Sequence, residues 1–233
     1  MTALLRQLSG CPLRSLAWRL FLHVLPTEPA VWSELTRENR RLYQLAKSTY
    51  TDYTDLNDTN ISCRLNNPLS VDEQSPWCRW FEHAEMRRVI RQDVVRTMPE
   101  VALFREDAVR QLMTDVLFVF MQKHPEVEYV QGMHELLAPI VYLLLREYNN
   151  FCDIRAVHRD PHPDFDLLEI LLDKTYVEHD AFYLLEKVLL MMDWSGSVNR
   201  HREYSDAPAA GRPGDRPFSK LLELGVEPQL FGL

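Results

Sequence analysis

Glycine is scarce in this sequence, 7 among 233 residues, and few stretches alternate apolar with polar side chains. The material for β-hairpins is therefore thin. Cysteine is equally sparse: Cys11, Cys63, Cys78 and Cys152 form no C-x-x-C pair and stand at no metal-ligand spacing with histidine. They read as free thiols in a reducing compartment. An excess of basic charge is missing too, since 26 Lys and Arg face 34 Asp and Glu for a net charge of −8. A nucleic-acid binder would ordinarily show a basic stripe, so that class is disfavoured. No apolar run is long enough for a transmembrane segment; the longest, 136–145, is about half of what is needed. Residues 1–8 contain Arg6 and lack the apolar core of a secretory signal. The expected location is cytoplasmic.

Catalytic signatures are absent as well. There is no H-E-x-x-H, no G-x-S-x-G and no glycine-rich phosphate loop. His158 and His162 are separated by Pro161, which argues against a helical metal pair. His134 and Glu135 are adjacent, so their side chains point in different directions and do not read as a catalytic pair.

What the sequence does hold is helical periodicity. A first helix is expected from Cys11-Pro12 through Leu16, Trp18 and Phe21, stopping near Pro26. A second begins at Pro29 and carries Trp32, Leu35, Leu42 and Leu45. Residues 48–76 lose the pattern to Thr, Asp, Asn, Ser and Pro and read as one long loop. Helices return over 77–96, closed by Pro99, and over 107–122. The segment 133–145 is so apolar that it reads as the most buried helix, kinked at Pro139. After a proline- and histidine-rich connection at 158–163, helices follow over 166–173 and 178–192. Residues 196–217 are poor in apolar side chains and read as a disordered insert, followed by another helix from Phe218. The expected fold class is all-α, a multi-helix domain over 1–233.

Three short motifs lie along this helical chain. Arg14-Ser15-Leu16-Ala17-Trp18 is an R-x-x-x-W, Ile90 to Arg96 is an I-x-x-D-x-x-R, and Tyr129-Val130-Gln131-Gly132-Met133 is a Y-x-Q-G-M. Each alone is weak. In this order, with Asp115-Val116-Leu117-Phe118 and the run 134–140, they resemble the TBC domain of Rab GTPase-activating proteins. Asn66-Asn67-Pro68-Leu69-Ser70 and the Gln-Gly-Met-His-Glu run resemble one branch, family member five, associated with retromer and endosomes.

The resemblance implies a dual-finger activator acting on a Rab small GTPase. Arg96 would stabilise charge on the transferring phosphoryl group, and Gln131 would orient the attacking water. Asp93, one turn before Arg96, would hold the guanidinium. Gly132 would allow close backbone approach. Ile90 and Tyr129 would pack beneath the two loops, Trp18 would be core, and Arg14 would make a structural ion pair near the site. Asn67, Pro68 and Leu69 would offer a retromer contact, or Leu69 would pack back on its own domain. The chain would hold no cofactor of its own, because Mg and GTP travel with the GTPase. A late-endosomal Rab is the first candidate partner, with peripheral recruitment to endosomal membranes. In relatives a helix rich in Trp, Leu and Phe follows where this sequence reads Val226 to Phe231, so the C-terminal lobe is expected to be incomplete. The contrasting reading is a non-catalytic scaffold that binds a Rab or retromer, or an inactive fragment.

Overall fold

The computed structural model describes residues 13–51, 75–158 and 163–192. Every regular element among them is helical: α1 (Arg14–Phe21), α2 (Trp32–Thr51), α3 (Pro76–Val95), α4 (Asp107–Lys123), α5 (Met133–Val157), α6 (Pro163–Leu171) and α7 (Val177–Met191). Short 3₁₀ turns precede α2, α4 and α7. The expected insert at 196–217, the helix from Phe218, and Asn67, Pro68 and Leu69 lie outside the described residues.

The central element is α4 rather than α5. From Met113 to Met121 all nine of its residues are buried, whereas the longest fully buried run of α5 is the six residues 136–141, with Glu135 exposed and Tyr142 and Leu143 only partly covered. A helix apolar on every side must be surrounded, and α4 packs against α2, α3, α5 and α7. The sequence signal misleads here because Thr114 and Asp115 interrupt the apolar run. Both are satisfied internally: the Thr114 hydroxyl donates to the Arg110 carbonyl at 2.7 Å. Asp115 accepts from Arg87 on α3 at 2.5 Å and from Lys47 on α2 at 2.9 Å.

Several boundaries differ from the sequence reading. Helix α2 runs on through 48–51, and α3 already begins at Pro76, so both ends of the expected loop are helical; residues 52–74 lie outside the described residues. Ser48, Thr49 and Thr51 turn their hydroxyls back onto carbonyls of their own helix, at 2.7–2.9 Å. This local bonding lets helix-averse residues stay helical. The side chain of Ser75 caps α3 by accepting from the Trp77 amide, a standard N-terminal device. Helix α5 passes through Pro139 and extends twelve residues beyond its apolar run, to Val157. There Leu144, Glu147 and Phe151 continue one inward face.

Glu147 explains an oddity of α1, whose N-terminus has no side-chain cap of its own. The carboxylate reaches across from α5 and accepts the Ser15 amide at 2.8 Å and the Ser15 hydroxyl. Burial pushes the Glu147 carboxyl above its usual value, against these bonds that lower it. A second polar staple joins α1, α2 and α7: Arg19 and Arg40 both donate to Asp180.

Candidate functional site

The end of α3 grades from core to solvent. Ile90 and Val94 are fully buried against α4, Asp93 lies mostly covered on their flank, and Arg96 is exposed. The helix stops at Val95: the Arg96 amide bonds back to the Asp93 carbonyl at 3.2 Å and the Thr97 amide to the Val94 carbonyl at 3.1 Å. Met98 then takes φ 37°, a left-handed conformation that costs a residue with a Cβ, and Pro99 follows. The turn leads the chain away, so Arg96 sits at the helix end with its side chain 52 % exposed, over an Asp93 side chain only 13 % exposed.

A second loop meets this helix end. Between α4 and α5 the chain turns at His124 and buries Val127. It then presents Tyr129 and Gln131 before Gly132. Gly132 caps α5 with φ 113° and ψ −18° and is buried, a combination open to glycine and costly to any other residue. The turn is closed by the Met133 amide on the Val130 carbonyl at 3.2 Å and the Glu135 amide on the Gly132 carbonyl at 3.0 Å. Gln131 is thereby held outward at the head of α5.

The two loops join through their side chains. Arg96 donates from Nε and Nη2 to Asp93 Oδ1, at 3.1 and 2.6 Å. Gln131 packs its amide against the guanidinium; the orientation that satisfies both groups is the one with the amide oxygen swapped toward Arg96, where it accepts from Nη2 at 2.5 Å and Nη1 at 3.1 Å. The Tyr129 hydroxyl donates to the other Asp93 oxygen, Oδ2, at 3.0 Å. Burial, then the charge of Asp93, pushes that hydroxyl far above its ordinary pKa, so it stays a donor. The result is a chain of bonds, Tyr129 to Asp93 to Arg96 to Gln131, whose inner half is sheltered and whose outer half meets solvent. Even after its bonds to Asp93 and Gln131, the five-donor guanidinium keeps N–H capacity for an anion.

Of the residues singled out in the sequence, Ile90, Asp93, Arg96, Tyr129, Gln131 and Gly132 converge here. Trp18 is partly buried against the main core. Arg14 opens α1, where its neighbour Ser15 is fastened to Glu147, about four helical turns, or ~20 Å, along α5 from Gly132. One further residue stands beside those that converge: His134, buried in the first turn of α5, puts Nδ1 3.7 Å from Asp93 Oδ2. No local spacing in the sequence links it to Asp93. No cluster of three metal-ligating side chains occurs among the described residues, and no described helix is long and apolar enough to cross a membrane.

Comparison with known proteins gives this geometry a context. Residues 11–193 match the Rab-GTPase-TBC domain model. The chain is 36 % identical over 94 % of its length to TBC1 domain family member 5 of Mus musculus, and equally to that of Homo sapiens. It spans only 26 % and 27 % of those relatives. The GTPase-activating protein gyp1 of Schizosaccharomyces pombe is 29 % identical over 76 % of the chain and 31 % of that protein. Among solved structures, the Ypt/Rab-GAP domain of Gyp1p superposes with a TM-score of 0.56 at 20 % identity, covering 87 % of this chain and 57 % of that one. That likeness establishes the all-α fold. By the extent of the domain match and by its relatives, the chain belongs to the Rab-GTPase-TBC domain family.

Proposed function

We propose that this chain accelerates GTP hydrolysis by a Rab GTPase, with Arg96 and Gln131 entering the partner's nucleotide site. The observation that carries the reading is the pairing of an exposed guanidinium and an exposed amide from two separate loops, over a buttress of Asp93 and Tyr129. Phosphoryl transfer needs charge stabilisation and an oriented nucleophile rather than new covalent chemistry. Arg96 supplies the first by donating to the transferring phosphoryl oxygens, an effect worth about 10³–10⁵ in rate, or roughly 4–7 kcal/mol of barrier. Gln131 supplies the second, since an amide can accept from water and donate to phosphate at once. In the free protein the two groups satisfy each other. Docking exchanges that contact for phosphate and water while Asp93 keeps the guanidinium aimed. Magnesium and GTP belong to the GTPase.

The branch resemblance extends the proposal: a late-endosomal Rab as substrate, peripheral recruitment to endosomal membranes, and retromer contacted through Asn67, Pro68 and Leu69. The 36 % identity to TBC1 domain family member 5 supports that choice of branch.

The test is single-turnover GTP hydrolysis by a panel of purified Rabs, with the wild-type chain and with Arg96→Ala, Arg96→Lys and Gln131→Ala. Stimulation of a Rab should be abolished by Arg96→Ala and nearly so by Arg96→Lys, because lysine has no planar fork. Gln131→Ala should also remove most of it. Stimulation that survives loss of both side chains would refute the mechanism.

A further inference from the structure

His134 is the most deeply buried titratable group near the two loops, 2 % exposed, and its Nδ1 has no hydrogen-bond partner among the described residues. A buried, unpaired imidazole nitrogen is costly to keep. This one faces Asp93 Oδ2 at 3.7 Å, just beyond hydrogen-bonding distance. Nε2 lies 4.0 Å from Glu135 Oε1, on a side chain that is half exposed.

Burial lowers the imidazole's proton affinity. Asp93 and Glu135 oppose that effect and Arg96 adds to it, leaving the pKa below the ordinary histidine value. The ring is thus neutral at physiological pH and carries one proton, on either nitrogen. A bare Nδ1 lone pair aimed at a carboxylate oxygen is repulsive, and an N–H there is attractive. Among the described residues Asp93 Oδ2 accepts one hydrogen bond, from Tyr129, and, having two lone pairs, has room for a second donor.

Resting on the finger reading above, we propose that His134 is a positioning residue for Arg96: a neutral imidazole that donates Nδ1–H to Asp93 Oδ2. Arg96 saturates the opposite oxygen, Oδ1. When docking draws the guanidinium toward phosphate, that oxygen loses part of its compensation and the carboxylate is free to rotate. Donors from Tyr129 and His134 on Oδ2 fix its plane from behind. His134 closes the remaining few tenths of an ångström to do so. It touches neither nucleotide nor water; its effect on the reaction passes through Asp93.

Two measurements test this. Long-range ¹H–¹⁵N spectra of the imidazoles in the wild-type chain, assigned with His134→Asn, should show His134 protonated on Nδ1, and Asp93→Ala should move the proton toward Nε2. An Nε2–H tautomer in the wild type, or one indifferent to Asp93→Ala, overturns the proposal. In single-turnover hydrolysis, His134→Phe keeps a flat buried ring without the donor. It should lower the maximal rate about tenfold while leaving the half-saturating concentration unchanged. His134→Asn, whose amide N–H falls near the Nδ1 position, should recover much of that loss. An unaltered maximal rate in His134→Phe, or no recovery in His134→Asn, reduces the residue to packing and overturns the proposal. If the wild-type chain stimulates no GTPase, the finger reading fails by itself, and the tautomer still decides whether His134 holds Asp93.

Discussion

Removing Asp180 should unfold this domain more readily than removing either of the arginines it binds. The Asp180 side chain is 9 % exposed and those of Arg19 and Arg40 are 4 % and 5 %, so water can replace almost none of the lost contacts. Arg40 donates twice, at 3.0 and 2.7 Å, and Arg19 once, at 3.1 Å. In Asp180→Ala both guanidiniums stay buried without their carboxylate, and breaking a buried pair in this way costs about 3–5 kcal/mol. Arg40 keeps its position 4.4 Å over the Tyr176 ring, which holds the figure within that range rather than doubling it. Arg19→Ala loses one charge-assisted bond and leaves the bidentate pair intact, about 1.5–3 kcal/mol. Arg40→Ala should fall between them. Against a total stability of roughly 5–15 kcal/mol, the first substitution leaves a marginal domain. Urea unfolding followed by far-UV circular dichroism measures all three, and the Asp180/Arg40 double-mutant cycle measures their coupling. An Asp180→Ala cost below about 1 kcal/mol, or one equal to that of Arg19→Ala, would show that the staple does not close the three-helix junction.

Acid stability should depend on Asp115. Burial alone would raise this carboxyl, but the hydrogen bonds from Arg87 and Lys47 outweigh it and hold the pKa below the usual aspartate value. Its contribution is therefore present above the ordinary aspartate range and is lost as pH falls through the lowered value. Asp115→Asn should cost about 1.5–3 kcal/mol at neutral pH and flatten the acid limb of the stability profile, and an unchanged limb would count against the network. Gly132→Ala should cost about 1–3 kcal/mol, since its φ of 113° is unfavourable once a Cβ is present. Thermal unfolding reads that cost, and a crystal structure of the variant should show Gln131 displaced from Arg96.

The helices were legible in the sequence because burial on one face imposes a period of 3.6 residues, and α3, α4 and α7 begin and end within a residue or so of where that period places them. The residues Asp93, Arg96, Tyr129 and Gln131 were legible only through the family resemblance that their motifs carry, since neither periodicity nor composition singles them out. Three things were decided only in three dimensions. Asp115 and Thr114 broke the apolar run of α4, and only the arrival of Lys47 and Arg87 from other helices makes its all-round burial tolerable. Arg14 shares a motif with Trp18, yet α1 is anchored by Glu147, a residue no local pattern connects to it. His134 faces Asp93 across 41 positions of sequence only because the end of α3 meets the head of α5. Periodicity records which face of a helix is buried. It holds no record of which charge on another helix will meet that face, because a pairing between distant residues depends on how whole elements dock and leaves no regular spacing in the chain.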